Sequence, residues 1–339
     1  MARPISNPPN PWLSTHVEWL GEPPAVALQV FEEEARSLLT ANDSPDIPFR
    51  WSANPYRGCY HGCAYCYARP SHQYLDWGAG TDFERKLVVK VNAPQLLERE
   101  LLRRTWTGEV IHFSGNTDCY QPLEASYALT RRCLEVCLAH RNPATVVTKG
   151  RLICRDVELL AELAQVAGAT VNISVPFANE AISHALEPYA PAPAQRLATI
   201  ARLAAAGIPT GVMVAPIIPG LNDREIPAIL TAARDAGATS AAMTLLRLPA
   251  EVLPVFRERL EATLPEKAVK VWNGLRELRD GRLNDPRFGA RMRGTGPRWQ
   301  AITDLFALHC RRLGLWSPSL PATRGPAQTD LFSLLEPSR

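Results

Sequence analysis

Between residues 110 and 264 the chain alternates short apolar runs with longer amphipathic stretches. The apolar runs, many of them rich in β-branched residues, predict strands at 110–113, 145–148, 170–175, 211–215 and 240–246. The amphipathic stretches predict helices at 123–140, 157–167, 194–206, 224–236 and 252–264. Three of these helices are followed by glycine, which suits the left-handed turn that commonly ends a helix. The alternation therefore predicts βα units and a parallel sheet.

The segment before this alternation predicts a further strand at 49–53, a short helix at 68–75, a strand at 87–91 and a helix at 95–104. With the strand at 49–53 the count reaches about six βα units. A complete eight-stranded barrel alone needs about 250 residues. We therefore expect a partial (β/α)6 barrel, in which ligands bind at the carboxyl ends of the strands.

Composition divides the chain into three parts. Residues 1–46 form a Pro-rich N-terminal extension with one predicted helix at 25–39, whose solvent side carries three glutamates. Residues 47–266 form the predicted core domain. Residues 267–339 form a C-terminal part with a basic segment, a helix at 299–313 and a Pro- and Ser-rich tail that we expect to be disordered.

The overall balance is that of an ordinary globular protein, with 46% hydrophobic and 21% charged residues. A net charge of +3 is too small to argue for nucleic acid by itself. No apolar run reaches membrane-spanning length, and the N-terminus lacks the apolar core of a signal peptide. We therefore expect a cytoplasmic protein without membrane contact, whose cysteines are thiols.

Three of the eight cysteines, Cys59, Cys63 and Cys66, fall within eight residues. Gly58 and Gly62 precede two of them and allow the backbone to turn tightly. Convergent thiolates suit a soft metal or an iron–sulfur cluster. The loop follows the first predicted strand of the sheet, so we expect it at the ligand-binding end.

Two other interpretations of these cysteines stay open at this point. One is a zinc site completed by His61 or Cys119, and the other is a chance cluster. Structural zinc usually draws its ligands in pairs from two separated segments, whereas this chain has one tight triplet.

The spacing Cys-x3-Cys-x2-Cys, with an aromatic residue before the third cysteine, resembles the signature of radical S-adenosylmethionine (SAM) enzymes. In that family the three cysteines hold a [4Fe–4S] cluster whose open iron takes the amino and carboxylate groups of SAM. Reductive cleavage then gives methionine and a 5′-deoxyadenosyl radical. The resemblance implies that Cys59, Cys63 and Cys66 bind the cluster and that SAM is the second cofactor. It also implies an external electron donor of the flavodoxin or ferredoxin type, and the radical-SAM form of the partial barrel.

One branch of the family fits residues 49 to 265 best, the spore photoproduct lyase group with its uncharacterised bacterial relatives. The resemblance rests on Cys-Ala-Tyr-Cys-Tyr, Asn-Thr-Asp, Val-Val-Thr-Lys, Asn-Ile-Ser-Val and Gly-Val-Met-Val-Ala-Pro-Ile-Ile. Spore photoproduct lyase reverses a thymine photodimer in DNA. The chain departs from the lyase at Gly115, where the lyase has a catalytic cysteine, and Cys119 follows the aspartate instead.

The same resemblance implies SAM contacts for residues at or beyond the strand ends, namely Tyr65, Asn116, Thr117, Asp118, Lys149, Ser174 and Arg196. Each of these types also has a plainer role. The three residues at 116–118 suit a turn and helix cap, and a lysine at a strand end is commonly a solvated charge. Arg196 suits either a bidentate contact with the SAM carboxylate or an ion pair with Glu187.

Two residues are candidates for a part in the reaction itself. Tyr67 is a candidate for a position near the substrate, and the alternative is packing. Cys119 is a candidate hydrogen donor or auxiliary-metal ligand. Arg247, after the last predicted strand, is a further candidate for the barrel interior. The other four cysteines are expected to behave as small hydrophobic residues in the core.

Residues 276–298 carry seven arginines against three acidic residues, which offers phosphate contacts through Arg291, Arg293 and Arg298. A solvated basic loop is the alternative. The predicted function is therefore a radical SAM enzyme of unknown substrate, with nucleic acid as one candidate. The alternatives are a radical SAM enzyme that acts on a peptide or small metabolite, and a zinc or iron–sulfur module that binds nucleic acid without catalysis.

Overall fold

The computed structural model describes residues 7–12 and 27–317. Within these residues the strands are β1 (Gln29–Glu33), β2 (Leu39–Ala41), β3 (Trp51–Ala53), β4 (Tyr56–Arg57), β5 (Lys86–Lys90), β6 (Ile111–Phe113), β7 (Ala144–Thr148), β8 (Ala169–Ser174), β9 (Thr210–Ile217) and β10 (Ser240–Leu245). Two short 3-10 helices lie at Arg69–Leu75 and Arg151–Asp156.

The α-helices follow the strands in alternation. They are α1 (Thr81–Arg85), α2 (Ala93–Leu101), α3 (Glu124–Tyr127), α4 (Leu129–Ala139), α5 (Val157–Val166), α6 (Glu180–Leu186), α7 (Pro193–Ala205), α8 (Ile226–Asp235), α9 (Val252–Thr263), α10 (Pro265–Glu277) and α11 (Gly296–Leu313). None of the described helices is long and apolar enough to cross a membrane.

The larger sheet confirms the predicted partial barrel. Its order is β10-β9-β8-β7-β6-β3-β2, and the six strands from β10 to β3 run parallel while β2 pairs antiparallel with β3. Alternating burial along β7 shows one side of the strand in the core. The core lies where apolar side chains of the strands meet the inner faces of the helices. All six carboxyl ends of the parallel strands therefore point to one face of the molecule.

Four of the five cysteines outside the motif behave largely as expected. Cys133, Cys137 and Cys310 are fully buried in the main core, and Cys154 is partly buried.

The predicted helix at 25–39 is wrong. Its described part forms β1, which pairs parallel with β5, and then leads into β2. Val30 and Phe31 are residue types that favour strands, and the Phe31 ring packs at 4.9 Å from the ring of Trp77. Tertiary pairing with β5 thus overrides the helical preference of the glutamates that follow. Strands β1, β5 and β4 form a separate three-stranded sheet in the order β1-β5-β4.

Other boundaries differ in smaller ways. The predicted helix at 123–140 is divided into α3 and α4, because Ala128 takes a left-handed conformation with φ 50°. Helix α6 was not predicted. Helix α10 crosses position 267, where the sequence analysis places the start of the C-terminal part, so that division stays a prediction. The expected disordered tail lies almost wholly outside the described residues.

The Arg-rich segment bridges the open side of the partial barrel. On one side the N–H of Leu245 donates to the carbonyl of Met292 at 3.0 Å, next to the edge strand β10. On the other side Arg291 and the N–H of Gly289 bind the carboxylate of Asp46 at 2.5 and 2.6 Å. Asp46 lies in the loop between β2 and β3, so the segment links the two edges of the sheet.

Candidate active site

The three motif cysteines lie on a loop directly after β3 and β4, at the carboxyl end of the parallel sheet. Cys59 and Cys63 are 7% and 8% exposed, and Cys66 is partly buried. Gly58 and Gly62 have φ values of 74° and 65°, which an L-residue adopts only with strain. A Cβ at Gly58 would lie 2.8 Å from Leu87 Cδ2, so the turn also leaves no room for a side chain.

A buried arginine holds the backbone of this loop. Arg69 is fully buried and donates to the carbonyls of Cys63 and Gly62 at 2.9 and 3.1 Å. The carboxylate of Glu84 accepts from the same guanidinium at 2.5 Å. These charge-assisted bonds fix the loop before any ligand binds. The sequence analysis missed Arg69, because an arginine just after a motif carries no mark of being buried.

The thiols fit an iron–sulfur cluster. Burial raises the pKa of Cys59 and Cys66 and raises that of Cys63 to about 12, while N–H groups of His61 and Ala68 act against this at Cys59 and Cys66. Buried thiols of this kind ionise when a metal compensates the charge. Across residues 7–12 and 27–317, no three His, Cys, Asp or Glu side chains are grouped to hold a single metal ion. A [4Fe–4S] cluster does not need three ligands around one ion, because each thiolate binds a different iron atom.

The segment after β6 is tied to the beginning of the cysteine loop. Asn54 Oδ1 accepts from the N–H groups of Asn116 and Thr117 at 2.8 and 3.4 Å. The Thr117 hydroxyl donates to the carbonyl of Tyr56 at 2.7 Å, and Asn116 Nδ2 donates to Ser71 Oγ at 3.2 Å. The structure thus uses both residues to hold loops together. Their SAM contacts stay predictions.

Asp118 joins the loops after β3, β6 and β7. Its Oδ1 accepts from the Thr148 hydroxyl at 2.5 Å, and its Oδ2 accepts from the N–H of Lys149 at 2.8 Å. His61 Nδ1 lies 3.3 Å from Oδ2, off the direction of a hydrogen bond, so this contact is electrostatic. Burial acts to raise the pKa of Asp118, but His61 and the hydrogen bonds hold it well below its ordinary value. Asp118 is therefore a fixed anion beside the cysteine loop.

Glu187 is the second buried carboxylate of the site. It accepts the hydroxyl of Tyr65, and its Oε2 lies 2.5 Å from Arg196 Nη2. Lys149 Nζ lies 3.7 Å from Oε1. Arg196 also donates to the carbonyl of Ser174 at 3.1 Å, at the end of β8. Glu187 thus connects the cysteine loop to β7, β8 and α7.

The ion pair between Arg196 and Glu187 is present, and it is buried and not at the surface, since the Arg196 side chain is 1% exposed. The guanidinium is also bonded to backbone carbonyls. Its bidentate contact with the SAM carboxylate stays a prediction. Arg196 positions Glu187.

Lys149 is the cation of this network that reaches the open side. Its side chain is 15% exposed, and its Nζ lies 5.8 Å from the centre of the Tyr65 ring. Burial acts to lower its pKa, but Cys63 and Glu187 outweigh this and raise it. Lys149 and Arg196 share the carboxylate of Glu187, and Asp118 also acts on the Lys149 ammonium.

Tyr65 and Ser174 line the same side but are largely buried. Tyr65 is 7% exposed, and its ring is tilted against Phe177 with centres 6.4 Å apart. Ser174 is also 7% exposed, at the last position of β8. Both lie where the resemblance implies SAM, and their contacts with it stay predictions.

The two candidates for the reaction lie in different surroundings. Tyr67 is half exposed at the mouth of the barrel, and its hydroxyl donates to the carbonyl of Gly115 at 2.7 Å. Cys119 is 1% exposed in the main core, beside Ser114 and Thr130. That burial does not favour a hydrogen-donor role for Cys119, which stays a prediction.

Two of the three arginines predicted to contact phosphate are engaged within the fold. Arg291 binds Asp46, and Arg298 lies 3.1 Å from Asp223 and 2.8 Å from Glu277. Arg293 is exposed on the bridging segment. Arg291 therefore ties the segment to the loop between β2 and β3, and Arg298 pairs with acidic residues of the fold, uses that sequence spacing does not reveal.

Known proteins similar to this chain indicate its family. Residues 53–233 match the family model of the Radical SAM superfamily. An uncharacterized protein of Mycobacterium tuberculosis is 36% identical over 292 residues, which cover 84% of this chain and 83% of that protein. An uncharacterized protein of Methanocaldococcus jannaschii is 29% identical over 199 residues, 58% of this chain and 71% of that protein.

The fold is also similar to solved structures. Spore photoproduct lyase complexed with dinucleoside spore photoproduct aligns with a TM-score of 0.61 and 15% identity, covering 85% of this chain and 81% of the lyase. At this identity the likeness shows a shared fold. The family is shown by the family-model match over more than half of the sequence and by the relative that is 36% identical. The chain belongs to the radical SAM superfamily and is a radical SAM enzyme, with a [4Fe–4S] cluster and SAM as its cofactors.

Proposed function

We propose that Cys59, Cys63 and Cys66 hold the cluster and that the radical formed from SAM acts on a nucleic-acid substrate at the mouth of the barrel. When bound, the cofactors supply reductive cleavage of SAM and a 5′-deoxyadenosyl radical. The observation that carries the proposal is the cysteine loop itself, which Arg69 holds in place at the carboxyl end of the sheet while its thiols stay unbridged.

The chain's own residues position and shield. Glu187 orients Tyr65 and Arg196, and Lys149 presents a positive charge to the SAM side. Asp118 fixes the loop after β7 through the N–H of Lys149. Radical chemistry is the cofactor's, and such a protein contributes orientation and exclusion of water.

The reaction differs from that of the lyase in at least one group. A Cβ at Gly115 would lie 2.8 Å from Ser52 Cβ on the neighbouring β3. A cysteine therefore does not fit at Gly115 without a shift of β3 or of the loop. The proposal is a radical reaction on nucleic acid that does not use a thiol at this position.

A reductant outside the chain completes the cycle, because radical SAM enzymes generally need an electron donor. We propose a flavodoxin- or ferredoxin-like protein in the cytoplasm. If SAM cleavage falls to zero when both such a donor and chemical reductants are withheld, this proposal is supported.

The test of the cluster uses two cysteine variants. After anaerobic reconstitution, the native chain should bind about four irons and release 5′-deoxyadenosine from SAM with a reductant. Cys63→Ala should lose the iron and the product. Cys137→Ala, which alters a cysteine buried in the core, is the matched control and should keep both. A native chain that stays colourless, or a Cys63→Ala variant with full activity, contradicts the proposal.

The substrate class is tested with deuterium. Single-stranded DNA, RNA and unrelated peptides are added separately to the reconstituted enzyme. Either the added substrate or the buffer carries the deuterium. Deuterium exchange between nucleic acid and 5′-deoxyadenosine supports the proposal. Exchange with peptide alone would assign the enzyme to the other substrate class.

A further inference from the structure

The bridged side of the barrel contains a group of arginines next to the proposed active site. Arg247 follows β10, and Arg279 follows α10. Arg291 lies on the bridging segment, and its backbone carbonyl accepts from Arg279 Nη2 at 3.2 Å. Burial and the nearby Arg247 guanidinium lower the pKa of Arg279, and Asp285 acts against them. Three guanidinium groups therefore converge at one edge of the site.

Only part of this charge is neutralised. Asp46 is taken by Arg291 at 2.5 Å, and Asp285 is taken by Arg287 at 2.6 Å. No other carboxylate among the described residues forms an ion pair here. With Arg287 counted, four guanidinium groups stand against these two carboxylates, so two positive charges remain in excess at this edge.

Arg279 is the inner of the two remaining cations. It is 4% exposed, and its Nη2 donates to the carbonyl of Leu246 at 2.7 Å. Its Nε and Nη1 have no hydrogen-bond partner in the described part of the chain. Burial lowers the pKa of Arg279 to about 10. Such a group acts as a fixed positive charge behind the site, because its bond to the end of β10 prevents it from turning outward.

Arg247 is the outer cation and is partly exposed. Within the described residues it makes no ion pair or hydrogen bond. Burial and the neighbouring Arg291 lower the pKa of Arg247, whereas Tyr67, which adjoins Cys66, and the carboxylate of Asp46 act in the opposite direction. A partly desolvated cation without a partner is costly, and an anionic ligand removes that cost.

We infer that Arg247 binds a phosphate group of the substrate at the mouth of the barrel, with Arg279 as a fixed charge behind it. The flat guanidinium fork suits two oxygens of a phosphate. A ligand held there lies beside Tyr67 and thus next to the cysteine loop. The inference deepens the nucleic-acid substrate proposed above and rests on it.

The test measures binding of a fluorescein-labelled single-stranded DNA oligonucleotide to the reconstituted enzyme over a series of salt concentrations. Arg247→Gln removes the charge, and Arg247→Lys keeps it. Arg312→Gln removes an exposed charge on α11, in the outer helix layer, and is the control. Loss of one phosphate contact should weaken binding about tenfold and reduce the slope of log affinity against log salt by about 1.

We expect both the weaker binding and the smaller slope in Arg247→Gln. Arg247→Lys should keep a slope close to native, and Arg312→Gln should show neither change. Equal losses in Arg247→Gln and Arg312→Gln would overturn the inference, as would an unchanged slope or a native chain that binds no oligonucleotide. Displacement of the probe by a carboxylate-bearing peptide but not by pyrophosphate would also overturn it. A native enzyme that cleaves SAM but binds no DNA refutes the phosphate site and leaves the proposed SAM chemistry standing. One that binds DNA through Arg247 but never cleaves SAM refutes the proposed chemistry alone.

Discussion

Replacing Glu187 by Gln tests whether the buried carboxylate holds the cysteine loop in the sheet. The substitution keeps the size of the side chain and removes its charge. Arg196 is 1% exposed and lies 2.5 Å from Glu187 Oε2, and Lys149 lies 3.7 Å from Oε1. Without the carboxylate, a buried guanidinium is left uncompensated.

Breaking a buried ion pair by removing one partner costs about 3–5 kcal/mol. We expect the lower end, about 3 kcal/mol, because the amide oxygen of Gln still accepts the hydroxyl of Tyr65. Glu135→Gln is the matched control, since Glu135 pairs with Arg131 at 3.0 Å on the exposed side of α4. An exposed i,i+4 pair contributes only about 0.3–0.5 kcal/mol.

The assay is urea unfolding followed by circular dichroism under anaerobic, reducing conditions. With a slope of about 3 kcal/mol per molar urea, Glu187→Gln should lower the midpoint by about 1 M and Glu135→Gln by less than about 0.2 M. The double variant Glu187→Gln with Arg196→Gln should recover part of the loss, because it leaves one buried charge fewer. Equal midpoints for Glu187→Gln and Glu135→Gln would refute the reasoning.

Two further predictions concern backbone space and pH. Gly58→Ala and Gly207→Ala place Ala at nearly the same φ, 74° and 75°, at a cost of about 1 kcal/mol each. Only at Gly58 would the new Cβ collide, because it would lie 2.8 Å from Leu87 Cδ2. Gly58→Ala should therefore lower the urea midpoint more and reduce iron uptake, and equal effects of the two would contradict this. Burial lowers the pKa of His112 to about 4, below the ordinary 6.5 or so of the unfolded chain. The unfolded state then binds the proton first, so stability present above about pH 6.5 is lost by roughly 3 kcal/mol as the pH falls to 4. His112→Asn should flatten this part of the midpoint-against-pH curve, and a curve identical to the native one would show that His112 is not the cause.

The cysteine loop and the barrel illustrate what local pattern predicts well. Strands such as β7 and β8 are apolar runs bounded by turns, and their helices end at glycines with positive φ, among them Gly168 and Gly207. Each signal is complete within a few residues. The position of the cysteines followed from the same logic, because a loop after a parallel strand lies at the carboxyl end of its sheet.

The failures come from contacts between distant residues. The segment of β1 has glutamates that suit a helix, and its pairing with β5, more than 50 residues away, makes it a strand. Arg291, whose phosphate contact stays a prediction, binds Asp46, 245 positions earlier, and this ion pair was not predicted. No local pattern identifies such partners.

The sequence by itself determined the thiol triplet, the order of βα units and the family that these imply, since all of them are properties of adjacent residues. Tertiary structure alone decided which charges are neutralised by ion pairs inside the fold. Glu187 and Asp46 neutralise Arg196 and Arg291, whereas Arg247 keeps its charge without a carboxylate partner in the described chain. The physical reason is that an ion pair depends on the distance and burial of two groups, which only the packed chain fixes.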